Sequence, residues 1–318
     1  MKIFITRPIP APVEELLKGA GYTVEVGHDQ QGLTKPRLVK ALLKGKYDGM
    51  ISFLTDTIDK EVIDAFGGKV IANYAVGFNN IDVAYAKSKG ICVTNTPLVS
   101  PSVAEFTAGL ILAASKRIVS ADAFVREDRY RGWDPHIFLG RDLQGKILGI
   151  VGAGHIGRQT ARIMNKGFGM SIIYFDTVVC AELETEMQAR KVESLEGLFR
   201  NADVVSLHTP LLPETHHLVN QERLSCMKET AILVNTSRGP VIDENTLIDF
   251  LDNKKIACAA LDVYEFEPKI ARRLRKLPNV ILTPHIASST LEARTEMGTL
   301  VAHNVIDVLS GKQSTCAV

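Results

Sequence analysis

Cysteine is scarce in this chain of 318 residues, and the five that occur (Cys92, Cys180, Cys226, Cys258 and Cys316) form no C-x-x-C pair. No histidines sit beside them at metal-ligand spacing. An odd, scattered set argues against a disulfide framework or a zinc module and fits a reducing cytosol. An excess of one charge is also missing: 37 Lys and Arg face 36 Asp and Glu, for a formal net charge of +1. That balance gives no bulk attraction toward nucleic acid or an anionic membrane. No apolar run reaches the roughly 18 residues of a membrane span, and the opening M-K-I-F-I-T-R-P is too short an apolar run for a signal peptide. Cys316, third from the end, is wrongly placed for prenylation. The expectation is a soluble cytoplasmic protein with two domains of ordinary size, no membrane and no nucleic acid among its partners, and no metal.

What the chain does contain is centred on K-I-L-G-I-V-G-A-G-H-I-G, residues 146–157. An apolar run stops at Gly152, and Gly154 and Gly157 follow at the G-x-G-x-x-G spacing. The first glycine permits a tight turn off a strand, the second lets a pyrophosphate approach the backbone, and the third lets the next helix lie close to the sheet. The helix start then offers N–H groups and partial positive charge to phosphate. A second strand, S-I-I-Y-F-D, ends in Asp176, about 20 residues past the last glycine, where a ribose-binding carboxylate belongs. Strand, glycine turn, helix, strand and acid together predict a dinucleotide site. A carboxylate there accepts bonds from both ribose hydroxyls and repels a 2′-phosphate, and no Lys or Arg follows closely in D-T-V-V-C-A. NADH is therefore expected over NADPH.

The remainder alternates short apolar strands with helices, the pattern of parallel sheets covered on both faces. Strands are expected at 2–6, 22–26, 48–53, 70–75 and 90–95, with helices at 11–20, 36–44, 59–66 and 82–89. Ser100 is read as an N-cap with Pro101 at the first helical position of a helix reaching about residue 120. That helix is apolar around most of its circumference, hence buried, and is read as the crossing between domains. Later strands are expected at 203–207, 231–234, 256–261 and 280–282, and a long helix at 290–309 returns the chain to the first domain. The turns after these strands (H-T-P, N-T-S-R-G, D-V-Y-E, T-P-H) would line up at the carboxyl edge of an open sheet, where ligands bind.

Three ionisable residues fall at or near those edges: Arg238, Glu267 and His285. If hydride leaves a nicotinamide for a ketone carbon, the oxygen needs a proton, and His suits the task with an ordinary pKa of ~6.5. A Glu bonded to the other ring nitrogen would set the tautomer, and an Arg would hold a substrate carboxylate through its planar fork.

At these residues the chain resembles the D-isomer-specific 2-hydroxyacid dehydrogenases, most closely their glyoxylate/hydroxypyruvate reductase branch. The likeness runs through N-Y-A-V-G-F-N-N-I-D (73–82), V-A-E-F-T (103–107), W-D-P (133–135), the glycine fingerprint, S-L-H-T-P-L-L-P-E-T (206–215), N-T-S-R-G (235–239), D-V-Y-E-F-E-P and P-H-I-A-S-S-T. It implies an α/β fold of two doubly wound parallel-sheet domains. Residues 1–99 plus 286–318 would form a flavodoxin-like split substrate domain, and residues 100–285 a Rossmann-type NAD-binding domain, usually in a homodimer. It further implies His285 as acid/base, Glu267 as its partner and Arg238 as a substrate ligand. Val76 and Gly77 would offer backbone N–H groups to the substrate carboxylate. Gly152, Gly154, His155, Ile156, Gly157, Asp176, Thr209, Pro210, Thr236 and Asp262 would face the cofactor, with Pro210 bordering the adenine and Asp262 reaching the nicotinamide amide.

There are departures. His155 stands where many relatives have Arg, and Asn79 where an acid is commoner. The loop after the third strand, I-S-F-L-T-D, has Ser52 and Leu54 where the 3-phosphoglycerate branch carries arginines. Without a cation there, a small uncharged substrate tail packed on Leu54 is expected. The function implied is NADH-dependent reduction of glyoxylate or hydroxypyruvate. Its rivals are D-3-phosphoglycerate dehydrogenase, another D-2-hydroxyacid dehydrogenase, or an NAD-sensing, corepressor-like interaction protein. His216 and His217 are read as a solvated helix edge, since no third ligand is near in sequence, and the basic run Arg272, Arg273, Arg275, Lys276 as solvated charge. Trp133 is open to two readings, ordinary packing or insertion into a partner subunit's cleft.

Overall fold

The computed structural model describes all residues except Ala11, Gln30, Gln31, Leu98 and Val99, with the side chain of Ser100 also outside the description. The expected first position of helix 11–20 and the Ser100 cap therefore lie outside the described residues. The chain divides into two compact units, Met1–Val99 with Ser288–Val318, and Ser100–Ala287.

The first unit contains β1 (Lys2–Ile5), α1 (Val13–Gly19), β2 (Thr23–Val26), α2 (Lys35–Gly45), β3 (Gly49–Phe53), α3 (Lys60–Phe66), β4 (Val70–Tyr74), α4 (Val83–Ser88) and β5 (Cys92–Thr94). All strand pairs are parallel, in the order β2-β1-β3-β4-β5, which is the flavodoxin-like order. Phe4, Met50, Ile71 and Val93 meet Leu38, Leu42, Val62 and Phe66 in one core. Local chemistry sets the helix starts: Asp59 and Asp82 cap α3 and α4 by accepting from Val62 N and Tyr85 N.

The second unit contains α5 (Ser100–Ser115), α6 (Ile118–Arg126), β6 (Ile147–Val151), α7 (His155–Phe168), β7 (Ser171–Phe175), α8 (Ala181–Met187), β8 (Arg190–Lys191), α9 (Leu195–Asn201), β9 (Val204–Leu207), α10 (Gln221–Cys226), β10 (Ile232–Asn235), α11 (Glu244–Asp252), β11 (Cys258–Leu261) and β12 (Val280–Leu282). Its parallel sheet runs β12-β11-β10-β9-β6-β7-β8. Numbered within the unit this is 7-6-5-4-1-2-3, the Rossmann order with one added edge strand. Alternate residues feed opposite faces: Leu148, Ile150, Ile172 and Tyr174 enter one core, and Val151, Ile173, Val205 and Leu207 the other. The final helix, α12 (Leu291–Leu309), belongs to the first unit and packs on β4, β3 and α1.

The helix expected at 100–120 is two helices. The Ser115 carbonyl takes the Arg141 amide (2.8 Å), and Arg117 adopts a left-handed φ of 56° before α6 begins. Apolarity alone ran the two together. Among the described residues no helix is long and apolar enough to cross a membrane.

Candidate active site

The three glycines of the fingerprint do three different things. Gly152 leaves β6 with φ +95°, and a Cβ on it would lie 2.7 Å from the His208 carbonyl oxygen. Gly154 precedes α7 without any side-chain cap, and a Cβ on it would point into open space. A Cβ on Gly157 would sit 2.1 Å from the Gly152 carbonyl, so only glycine lets α7 pack so closely. The uncapped first turn, carrying His155 and the half-buried Ile156, leaves its amides and the helix dipole for an anion.

Asp176, one residue past β7, folds back onto this loop. Its carboxylate accepts from Ala153 N (2.7 Å), Val178 N (3.1 Å) and Thr177 Oγ1 (3.3 Å). Partial burial works to raise its pKa, but these donors outweigh it and hold the carboxyl below the usual range. After β9, Pro210 is exposed while the Thr209 hydroxyl is buried with no hydrogen-bond partner among the described residues. A glycine cradle, an open helix start, an ionised acid and an orphan hydroxyl on one sheet edge fit a dinucleotide. Thr236, after β10, shares a 2.8 Å bond with Thr107 on α5. One turn along α7, Arg158 Nη2 lies 3.0 Å from His155 Nδ1, while its Nε is 3.4 Å from Glu182 Oε2. Sequence reading missed that, although the i, i+3 spacing signals it.

Arg238, Glu267 and His285 come together on the same edge. His285 Nδ1 is 2.9 Å from Glu267 Oε2, and Glu267 Oε1 accepts from Tyr264 N (2.9 Å). Burial works to raise the Glu267 carboxyl, but the His285 hydrogen bond and charge, the Tyr264 amide and Arg238 prevail and hold it low. The Arg238 guanidinium is depressed by burial and supported by the Glu267 charge; an arginine remains protonated under such a shift. With Nδ1 engaged by the carboxylate, the other ring nitrogen is the one able to carry a transferable proton.

Asp262 has a task within the chain itself. It is wholly buried, and its carboxylate accepts from Thr283 Oγ1 (2.6 Å), Ile286 N (3.0 Å) and Ala287 N (2.8 Å). Its own carbonyl takes the His285 amide (2.9 Å). Asp262 thus holds the turn in which His285 adopts a left-handed φ of 55°. On the neighbouring loop, Glu244 and Glu265 exchange bonds, each backbone amide donating to the other's carboxylate (3.0 and 3.1 Å).

In the first unit, Leu54 follows β3 and is 40% exposed, and Val76 and Gly77, half-buried, follow β4. The loop after β3 is not free of positive charge, as the sequence suggested. Arg7, just past β1, donates to Thr55 Oγ1, lies 3.4 Å from the buried Asp56 and stacks over Phe53 at 4.9 Å. Asp56 balances that charge, so the loop remains near neutral.

The histidine pair also needs correction. His216 and His217 lie in a turn, not on a helix, and their rings stack at 4.0 Å. The fold brings Glu265 to them: Oε1 is 2.7 Å from His217 Nε2. Ligand atoms of His216, His217 and Glu265 lie within 4.8 Å of one another, the one such trio among the described residues. Its Glu265 is already spent on His217 and on the Glu244 amide.

Comparison with known proteins agrees with this layout. Residues 108–287 match the family described as D-isomer specific 2-hydroxyacid dehydrogenase, NAD binding domain. A glyoxylate reductase from Thermococcus litoralis is 44% identical over 317 residues, covering 98% of this chain and 94% of that one. The crystal structure of the TT0316 protein from Thermus thermophilus superposes with a TM-score of 0.93 at 39% identity, covering 100% of both chains. An NADPH-dependent glyoxylate/hydroxypyruvate reductase from Sinorhizobium meliloti, solved with NADP and malonate, gives a TM-score of 0.84 at 28% identity, covering 100% of this chain and 96% of that one.

Proposed function

This chain belongs to the D-isomer-specific 2-hydroxyacid dehydrogenases, and on that premise we propose that it reduces a small 2-oxo acid, glyoxylate or hydroxypyruvate, with NADH. The products would be glycolate or D-glycerate. The observation that carries this reading is the 2.9 Å His285–Glu267 pair beside Arg238, on the sheet edge that also bears the glycine loop. A nicotinamide cofactor held at the glycine loop and Asp176 would supply the hydride that reduces C2 of the oxo acid. His285 gives a proton from Nε2 to O2, so one hydride and one proton convert the ketone or aldehyde into the alcohol. Glu267 fixes the ring and steadies its positive charge, and Arg238 holds the substrate carboxylate and polarises the adjacent carbonyl. Val76 and Gly77 are assigned to the same carboxylate through their backbone amides.

Steady-state oxidation of both reduced cofactors, against a panel of 2-oxo acids, tests this. Expected is turnover of glyoxylate or hydroxypyruvate, with kcat/KM for NADH at least about tenfold above that for NADPH, because the Asp176 carboxylate repels a 2′-phosphate. A preference for NADPH removes the cofactor assignment. Binding of NADH without turnover of any oxo acid favours the corepressor-like rival.

A second copy of the chain is the proposed partner. Along residues 118–139 the side chains of Ile118 (53%), Val125 (58%), Tyr130 (53%), Trp133 (84%) and Leu139 (71%) are exposed. Exposed apolar side chains in this number favour an interface, and Trp133, at 84% exposed, packs little within its own chain. Light scattering should give twice 34.8 kDa, and Val125→Glu with Leu139→Glu should return it to the single-chain mass. A monomeric parent protein overturns this.

A further inference from the structure

Three successive carbonyls in the turn after β4 are tied back into the first unit. Ala75 O accepts from Thr96 N (2.9 Å), Val76 O from Asn95 Nδ2 (2.7 Å) and Gly77 O from Asn73 Nδ2 (2.9 Å). In a trans peptide the N–H points opposite to the C=O. The amides of Val76, Gly77 and Phe78 are therefore directed away from these anchors. Asn95 is itself braced, its carbonyl accepting from Asn304 on α12 (3.0 Å).

Asn73 is fully buried and completely engaged. Besides Gly77, its Nδ2 donates to Asn80 Oδ1 (3.1 Å), and its Oδ1 accepts from Ser52 Oγ (3.0 Å). Asn80 carries the link onward. Its Nδ2 donates to Phe53 O (3.0 Å) and Asp56 O (3.1 Å), the two ends of the loop whose tip is Leu54. Asp56 closes the far side of that loop by accepting from Phe53 N (2.9 Å) and Thr6 Oγ1. Position 80 must present two donors and one acceptor at once, and a side-chain amide does so where an isosteric carboxylate offers acceptors only.

We propose that Asn80, acting through Asn73, is a positioning residue that sets the spacing between the Val76–Gly77 amides and the Leu54 loop, and thereby the length of 2-oxo acid that the enzyme accepts. This rests on the reading that Val76 and Gly77 bind the substrate carboxylate. A fully satisfied buried network holds two loops in one register, and a displacement of about 1 Å at a substrate-holding group costs up to ~10²-fold.

The decisive variant is Asn80→Asp, which keeps the shape and turns both donors into acceptors. KM for glyoxylate should rise about tenfold or more, with a smaller change in kcat. The hydroxypyruvate-to-glyoxylate ratio of kcat/KM should shift several-fold, while the NADH dissociation constant stays within about twofold. A merely structural role would lower Tm and the active fraction, and so kcat, leaving KM and the substrate ratio in place. A folded Asn80→Asp with unchanged KM and ratio overturns the proposal. If that variant does not fold, Ser52→Ala removes only the Ser52 donor and leaves Asn73 Oδ1 with the longer bond from Asn80 Nδ2 (3.4 Å), and should move KM in the same direction by about twofold; no movement overturns the proposal equally. The parent enzyme separates the two layers. Equal use of glyoxylate and its uncharged methyl ester overturns the carboxylate reading and this inference with it. Strong preference for the acid, with Asn80→Asp unaltered, overturns this inference alone.

Discussion

Replacing His285 with alanine is expected to lower kcat for oxo-acid reduction by about 10²- to 10⁴-fold, the usual share of a general acid, with NADH affinity unchanged. The loss corresponds to roughly 3–5 kcal/mol of transition-state stabilisation. It falls on kcat and kcat/KM together, because the proton moves only as the hydride arrives. Glu267→Gln should cost less, since the amide oxygen can still accept from Nδ1 while the charge is gone. The double variant should be little worse than His285→Ala alone, because the two act as one unit.

The pH profile follows from the same pair. Reduction consumes a proton, so kcat/KM for reduction should fall as pH rises, and oxidation should show the reverse. Glu267 is held below the usual carboxylate range, so it stays ionised throughout an assay window of about pH 5–9. Its contribution to stability is present above its unfolded pKa of ~4.3 and is lost as pH falls through the lower folded value. Within the assay window Glu267 adds no inflection of its own. Glu267→Gln removes the fixed negative charge beside the imidazole and should lower kcat for reduction. Reduction that does not slow as pH rises, or near-normal reduction by His285→Ala, would remove the proposed proton path.

Gly239→Ala is expected to be the most damaging single-atom addition in the second unit. A Cβ there would lie 1.9 Å from both the carbonyl carbon and the oxygen of Tyr264, and 2.5 Å from Glu265 N. Backbone cannot rotate aside as a side chain can, so either the turn holding Arg238 or the loop holding Glu267 must shift. Overpacking of this kind costs about 1–3 kcal/mol and sometimes more, or a Tm drop of roughly 2–12 °C in a domain of this size. Activity should fall as well, because the displaced loop is the one whose Tyr264 amide orients Glu267 (2.9 Å). Gly167→Ala is the control. It lies in α7 with nothing within 4 Å of its added Cβ, so it should leave activity alone and stabilise by about 0.5–1 kcal/mol. Differential scanning calorimetry and steady-state kinetics on both variants decide the matter, and a Gly239→Ala protein with parental Tm and kcat would refute the packing argument.

Several features were legible without coordinates because they are local. The glycine spacing, the acid about 20 residues on and the short apolar runs each express a constraint within one βαβ unit, and the structure places them in a Rossmann-ordered sheet. The helix at 100–120 was misread because an apolar run records burial but not direction; the break depends on the Arg141 amide capturing the Ser115 carbonyl. His216 and His217 were misread because their third companion, Glu265, lies 48 positions away from His217. The cation against the loop after β3, Arg7, came from the turn after β1, which that loop's own sequence could not reveal.

The order of strands and helices, the glycine turn and the identity of the three ionisable groups were set by the amino-acid sequence alone, since φ/ψ preference, periodicity and turn chemistry act over a few residues. Which side chains share a hydrogen bond was decided only by the tertiary structure: Asp262 under the His285 turn, Arg7 against Asp56, Asn80 bridging Phe53 and Asp56. Those pairings follow from the parallel sheet order, which sets carboxyl ends distant in sequence side by side, where an unpaired polar group in the interior costs too much to be left alone.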